Sequence, residues 1–499
     1  MNGKDSIRGA IMAKTMCSVA ILMFALASGG QTAPGGFTAA QEGERPRPAT
    51  VTVDFSVVAG PVKPMNAVNN GPVAPAGVCQ HSNFDTFKAA RIPFGRTHDT
   101  SEYIVFGGDH AVDISAVFPD FDADEARPEN YDFAVTDAFL KDMRAAGTEP
   151  FYRLGQRIEH SARRYNVWPP KDFAKWARIC EHVIRHYNEG WAGGFRWNIR
   201  YWEIWNEPDL VLDMKENRVR PKTWGGTPRQ FFDFYETAAK HLKGRFPSLR
   251  IGGPGAAHLG PWCRDFLTEQ KKRGTPIDFF SWHVYTHDPR RMAELAGETR
   301  ALMDACGYPG AESILNEWNY VKGWKENYHY SIAQLTMQKG AAFTAAAMIA
   351  CQAEPVDMLM YYDAMPDAHF NGVFDKTTLE PLKPYYALYS WGRLAMLGTS
   401  VAATADMPDI YAAAARHDDG RRAVFLARYA EDNNFTASRS VTVKLSGGAF
   451  PSEVSAHVTD GARMQTETTL WPASAHELTV QMPPNSFMLI EYGVKEIGG

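Results

Sequence analysis

Between about Pro64 and Leu397 the chain alternates short apolar runs with longer amphipathic ones, and this alternation restricts the fold more than any other feature. Strand-like runs fall at residues 65–70, 92–98, 150–154, 201–206, 249–253, 279–285, 313–316 and 358–362. Helix-like stretches separate them, at 135–146, 171–188, 228–246, 289–306 and 331–351. Within 171–188, Phe173, Trp176, Ala177, Cys180, Val183, Ile184 and Tyr187 share one stripe, as in a helix with one buried face. Eight strands, each followed by helical sequence within roughly 330 residues, have the count and size of an α/β chain folded as a (β/α)8 TIM barrel with enlarged loops. An open doubly wound sheet is the alternative, and it calls for a Gly-rich phosphate turn after the first strand. The nearest stretch, Gly252-Gly253-Pro254-Gly255, comes too late, and its proline does not suit a helix N-terminus.

From about residue 398 the pattern changes to period two, with runs at 423–429, 440–445, 453–458, 477–482 and 486–492 set between Gly, Asp, Asn and Pro. This predicts a C-terminal β-sandwich over residues 398–499, after a barrel over 64–397. Residues 51–63 open with the same alternation and are expected to add a strand to the sandwich from the amino-terminal side. The first residues have the parts of an export signal: Lys4, Arg8 and Lys14, then the apolar run 16–27, with Ala25-Leu26-Ala27 as a cleavage site. Residues 1–27 therefore read as a signal peptide and 28–50 as a disordered leader, giving a secreted or periplasmic protein with no stable membrane insertion after cleavage. Of six cysteines, Cys17 lies in the signal. The odd remainder, Cys79, Cys180, Cys263, Cys306 and Cys351, argues against a disulfide framework, with one bridge left open, and shows no metal-ligand spacing.

A net charge of −5 with no basic cluster gives no reason to expect nucleic acid or an anionic membrane as a partner. A neutral or mildly polar small molecule is the expected ligand. Aromatic residues at 12% suit stacking against sugar rings, although large cores also use them.

The chemistry concentrates in Trp202-Glu203-Ile204-Trp205-Asn206-Glu207-Pro208. Pro208 disfavours helix at Glu207, so Glu207 is expected to be extended and to close the fourth barrel strand. Flanking indoles would disfavour its charged form and make it a general acid. A buried structural Glu is the alternative. A general acid acting on a glycoside needs a second carboxylate across the reacting carbon. Glu317, in Ser313-Ile314-Leu315-Asn316-Glu317-Trp318-Asn319, ends the seventh strand run, about 110 residues or three βα units later. Four further candidates accompany the pair. His98 and His283 are possible sugar contacts, Tyr285 a donor to Glu317, and Asn206 a partner for the sugar 2-OH. Glu203 lies deeper on the strand and reads as a supporting acid.

These segments resemble the retaining (β/α)8 glycoside hydrolases that carry glutamates at strands 4 and 7, and within them family 39, the β-xylosidase and α-L-iduronidase family. Arg96-Thr97-His98-Asp99, Phe118-Pro119-Asp120-Phe121 and Gly147-Thr148-Glu149-Pro150-Phe151 support the choice. The resemblance implies Glu207 as acid/base, Glu317 as nucleophile, an oligosaccharide or glycoside substrate, no metal and no organic cofactor, and a β-xylosidase-like exo-glycosidase as the first expectation. Strand 8 departs from the xylosidase pattern, with Met358-Leu359-Met360-Tyr361-Tyr362-Asp363 where a Trp is expected, so another sugar is a second reading. An α-L-arabinoside, another glycoside or a uronide would each fit; a uronide would need cations such as Arg96 and Arg157. A non-catalytic carbohydrate-binding protein on the same fold is the third, and both glutamates count against it. The oligomeric state stays open.

Overall fold

The computed structural model describes residues 46–75, 81–98, 111–158, 166–210, 213–215 and 218–493. The expected signal peptide, most of the leader and Cys79 lie outside them. The strands are β1 (Ala49–Pro61), β2 (Ala67–Asn69), β3 (Phe94–Arg96), β4 (Glu149–Leu154), β5 (Tyr201–Ile204), the hairpin β6 (Asp213–Lys215) and β7 (Arg218–Arg220), β8 (Arg250–Ala256), β9 (Phe279–Thr286), β10 (Glu312–Tyr320) and β11 (Met358–Tyr361). Eight more follow: β12 (Thr399–Ala405), β13 (Ile410–Arg416), β14 (Arg422–Arg428), β15 (Arg439–Ser446), β16 (Val454–Thr459), β17 (Thr466–Leu470), β18 (Glu477–Met482) and β19 (Ser486–Tyr492). The helices are α1 (Phe84–Ala89), α2 (Ile114–Val117), α3 (Ala134–Ala145), α4 (Phe173–Asn188), α5 (Pro228–Arg245), α6 (Pro261–Lys272), α7 (Pro289–Ala305), α8 (Tyr328–Leu335), α9 (Gln338–Gln352) and α10 (Lys383–Ala395).

Strands β2, β3, β4, β5, β8, β9, β10 and β11 close into a parallel barrel in that order, one for each of the eight runs read from the sequence. Ala67, Phe94, Phe151, Tyr201, Phe279, Ile314, Met358 and Met360 fill its floor as one inward-facing cluster. Alternate residues such as Tyr152, Trp202, Leu315 and Leu359 face outward into the helix layer. The helical run expected over 331–351 is two helices, α8 and α9, because Met337 is extended between them at φ −103°, ψ −178°. Helix α9 shows no amphipathic stripe because every side is covered. It packs on α7, α10, barrel strand β10 and sheet strands β13, β14 and β19. Its many alanines let these layers approach closely, and Phe343 meets Trp318 and Tyr320 of the barrel and Tyr429 beyond β14.

The expected sandwich is one continuous sheet of nine strands in the order β17-β16-β19-β14-β13-β12-β1-β15-β18. Val454, Ala456 and Val458 near one end share a hydrophobic cluster with Leu478, Val480 and Met482 at the other, so the sheet folds over its own core. Strand β1 pairs antiparallel with β12 and parallel with β15. It begins at Ala49, so the last residues of the presumed leader belong to the sheet. Cys180, Cys263, Cys306 and Cys351 are free and buried. Among the described residues no helix is long and apolar enough to cross a membrane.

Phe425 of β14 is fully buried and meets Trp391 of α10 at 6.2 Å, joining the sheet to the barrel's last helix. Phe425→Ala should destabilise the protein by about 3–5 kcal/mol, read as a lowered midpoint in urea unfolding.

Candidate active site

At the carboxyl end of the barrel two local distortions set the side-chain directions. In β5, Tyr201 and Glu203 point inward while Trp202 and Ile204 point outward. Trp205 should then point inward, but its φ of +77° keeps it outside, against Trp176, Trp224 and Phe234. Asn206 consequently faces the interior. Glu207 also has positive φ, +47°, rather than the extended conformation expected before Pro208. Such backbone is costly for a non-glycine residue and persists where its surroundings fix it. Here Glu207 N donates to Gly255 O at 2.9 Å, Thr223 Oγ1 donates to Glu207 O, and Trp205 Nε1 donates to Thr223 O at 3.1 Å. The indoles expected to flank Glu207 therefore belong to the barrel–helix layer, Trp202 stacking on Tyr152.

In β10 the pairing with β9 jumps from Leu315 opposite Trp282 to Glu317 opposite His283. This bulge leaves Asn316 as an extra residue, so consecutive Asn316 and Glu317 both reach inward. Asn316 Nδ2 donates to Glu203 Oε1 at 2.6 Å and Glu317 enters the cavity. Glu317 does not end its strand as expected, because β10 continues to Tyr320.

Arg96 connects these residues. Its Nε donates to Glu203 Oε2 at 2.7 Å, its Nη1 to Glu317 Oε1 at 2.8 Å and Asn69 Oδ1 at 3.1 Å, and its Nη2 to Asn206 Oδ1 at 2.7 Å. Glu203 also accepts from Ser281 Oγ at 2.6 Å, the supporting role expected of it. Gly255, at φ +62°, allows this packing: a Cβ there would lie 3.2 Å from both Glu203 Oε1 and His283 Nε2.

The remaining candidates surround the two glutamates. His98 Nε2 lies 3.1 Å from Glu317 Oε1, and Tyr285 Oη donates to Glu317 Oε2 at 2.8 Å. His283 Nδ1 lies 2.8 Å from Glu207 Oε1 and 3.3 Å from Glu317 Oε2. One carboxylate oxygen from each glutamate and a His283 ring nitrogen lie within 4.8 Å of one another. Such a trio has the reach to hold a cation, but Arg96 already supplies a fixed positive charge to Glu317. Glu207, Glu317, His283 and Tyr285 line a cavity of about 1050 Å³. His98 and Asn206 are fully buried behind it, and Asn206 Nδ2 has no hydrogen-bond partner among the described residues. Arg157 lines the cavity, whereas Arg96, named with it as a possible partner for a uronide, is fully buried and engaged.

The electrostatics separate the two carboxyl groups. Burial pushes the pKa of Glu207 above the usual carboxylate range and the charge of Glu317 adds to this, against the opposing His283 hydrogen bond. Burial acts on Glu317 in the same direction, but His283, His98 and Arg96 outweigh it and hold this carboxyl well below that range. Burial lowers the pKa of His283, yet the two glutamates leave it raised overall.

The family model for glycosyl hydrolases family 39 matches residues 57–388. The chain belongs to this family. It is 28% identical over 255 residues to a β-xylosidase of Caldicellulosiruptor saccharolyticus, covering 46% of this chain and 48% of that protein. It is 27% identical over 236 residues to a β-xylosidase of Geobacillus stearothermophilus, covering 42% and 44%. The matches thus span about half the length of each relative. A solved glucosidase from Croceicoccus marinus shares the fold with a TM-score of 0.71 at 24% identity, over 89% of this chain and 99% of that one.

The fold brings together Glu207, Glu317, His283 and Tyr285, all named from the sequence, whereas sequence reasoning undervalued Arg96 and passed over Asn69 and Ser281. The available signal was parity: Arg96 ends β3 as Glu203 lies on β5, both directed inward at adjoining depths. Arg96→Met should cost about 3–5 kcal/mol by leaving buried carboxylates uncompensated, measured by urea unfolding. In the folded fraction it should raise the pKa of Glu317.

Proposed function

We propose that this chain is a retaining glycoside hydrolase working by double displacement, with Glu207 as acid/base and Glu317 as nucleophile. The observation that carries the reading is the pair of buried glutamates, with oxygens within 4.8 Å and environments that drive their pKa values apart. Retaining enzymes place their carboxyl groups roughly 5–5.5 Å apart, whereas inverting enzymes need about 6.5–9.5 Å to admit a water. Opposed pKa values in one site separate the proton donor from the ionised nucleophile.

In the first step Glu317 attacks the anomeric carbon as the glycosidic C–O bond breaks and Glu207 gives its proton to the leaving oxygen. In the second, Glu207, now ionised, takes a proton from water. The water oxygen bonds the same carbon and Glu317 departs, so the configuration is kept. Tyr285 and Arg96 stabilise the ionised nucleophile. Asn206 Nδ2, buried and unpartnered, is a donor that a sugar 2-OH would satisfy; leaving it unsatisfied costs about 1–3 kcal/mol. A β-xyloside is the first substrate expectation, supported by the two β-xylosidase relatives. A uronide draws its support from Arg157 at the cavity wall. The signal-peptide pattern of residues 1–27 supports a secreted or periplasmic location.

A screen of aryl glycosides with NMR observation of the first-formed anomer tests this reading, and an inverted product overturns it. Glu317→Ala should abolish turnover, whereas Glu207→Ala should chiefly slow substrates with poor leaving groups. Glu207 must be protonated for the first step, so kcat/KM should fall as pH rises through its raised pKa. Glu317 must be ionised, which its lowered pKa secures into strongly acid solution. His283→Phe removes a group that holds both carboxyl pKa values down, so both limbs of the pH–kcat/KM profile should move to higher pH.

A further inference from the structure

One wall of the cavity has no part in the two chemical steps. Beyond Tyr285, the Trp324 ring meets the Tyr285 ring edge-on at 5.3 Å. Tyr328 lies nearly parallel to Trp324, at 6.1 Å and 24°. His369 lies nearly parallel to Tyr328, at 5.9 Å, with Tyr328 Oη 2.7 Å from His369 Nε2. All four rings line the cavity that holds the glutamates, yet Trp324 remains 57% exposed. A large indole left open at the edge of a cavity is an uncovered stacking surface.

We propose that Trp324 and Tyr328 form a stacking platform for a second sugar unit of the substrate, joined to the cleaved sugar on the side away from the leaving group. The inference rests on the glycosidase reading above. Direction follows from the acid: Glu207 protonates the leaving oxygen, so the leaving group lies on the Glu207 side, where Leu210, Lys222 and His258 also line the cavity. Trp324 and Tyr328 follow β10, which carries the nucleophile, and His369 follows β11. Size leaves room for more than one sugar, since about 1050 Å³ lies just above the roughly 300–1,000 Å³ usual for small-molecule sites.

The platform is also held from outside the barrel. Glu431, beyond sheet strand β14, accepts from Tyr320 Oη at 3.1 Å and Tyr429 Oη at 2.7 Å and pairs with Lys322 Nζ at 2.8 Å. Tyr320 and Lys322 begin the segment that leads to Trp324, so the C-terminal sheet fixes where the indole stands.

The test compares kcat/KM for p-nitrophenyl β-xyloside and p-nitrophenyl β-xylobioside in the full-length wild type, Trp324→Ala and Trp324→Phe. Trp324 is mostly exposed, so the variants should fold. The expected result is that Trp324→Ala lowers the xylobioside-to-xyloside ratio about tenfold, mainly through KM, and that Trp324→Phe restores part of it. An unchanged ratio with continued xyloside turnover overturns the platform alone. An equal loss on both substrates in Trp324→Ala overturns the assigned direction, because the ring would then meet the nitrophenyl group that the two share. Turnover of no aryl glycoside by the wild type, these two included, overturns the hydrolase reading and this inference with it.

Discussion

The site is organised by one buried cation. The Arg96 guanidinium sits at the centre of the barrel's carboxyl end and directs its donors to Glu203 and Asn206 of β5 and its end, Glu317 of β10 and Asn69 of β2. A guanidinium is planar, always charged and rich in directed donors, so it can hold several acceptors at fixed angles where a lysine would hold fewer. Burying such a charge is costly unless it is paired and hydrogen-bonded. Glu203 supplies the pairing from below, itself satisfied by Ser281 and Asn316. Glu317 supplies it from above, and thereby enters an environment that keeps it ionised.

The opposed pKa shifts of the two glutamates follow from this arrangement and not from their local sequences, which are alike. Both are buried, and burial alone would raise both. Arg96, His98 and His283 gather on Glu317, whereas Glu207 has only His283 to offset its burial and feels the negative charge of its counterpart. Positive charge gathered around one of two neighbouring carboxyl groups is enough to keep that one ionised and leave the other readily protonated.

Much of this was legible in the sequence because it depends on periodicity. Eight apolar runs gave eight barrel strands, and the Asn-Glu segments marked the fourth and seventh. What periodicity does not encode is where it breaks. The positive φ of Trp205 and the bulge at Asn316 each shift one residue to the other face, and those shifts bring Asn206 and Glu317 inward. Helix α9 was hidden for a related reason: covered on all sides, it has no stripe, and its separation from α8 rests on one extended residue, Met337. The importance of Arg96 is a property of three-dimensional convergence, since no neighbour in sequence reveals that its acceptors lie on distant strands.

Strand β1 lies inside the C-terminal sheet, with β12 on one side and β15 on the other. The order in which the polypeptide emerges therefore differs from the order in which its parts can be completed. Strand β1 must wait for β12 and β15 while the whole barrel is synthesised, and the sheet cannot close its gap without it. Contacts so distant along the chain carry a large loop-closure entropy and form late. The barrel is in effect enclosed in a loop whose ends are fastened together, and the sheet is not a module that could be cut away or grafted by taking the C-terminal residues alone.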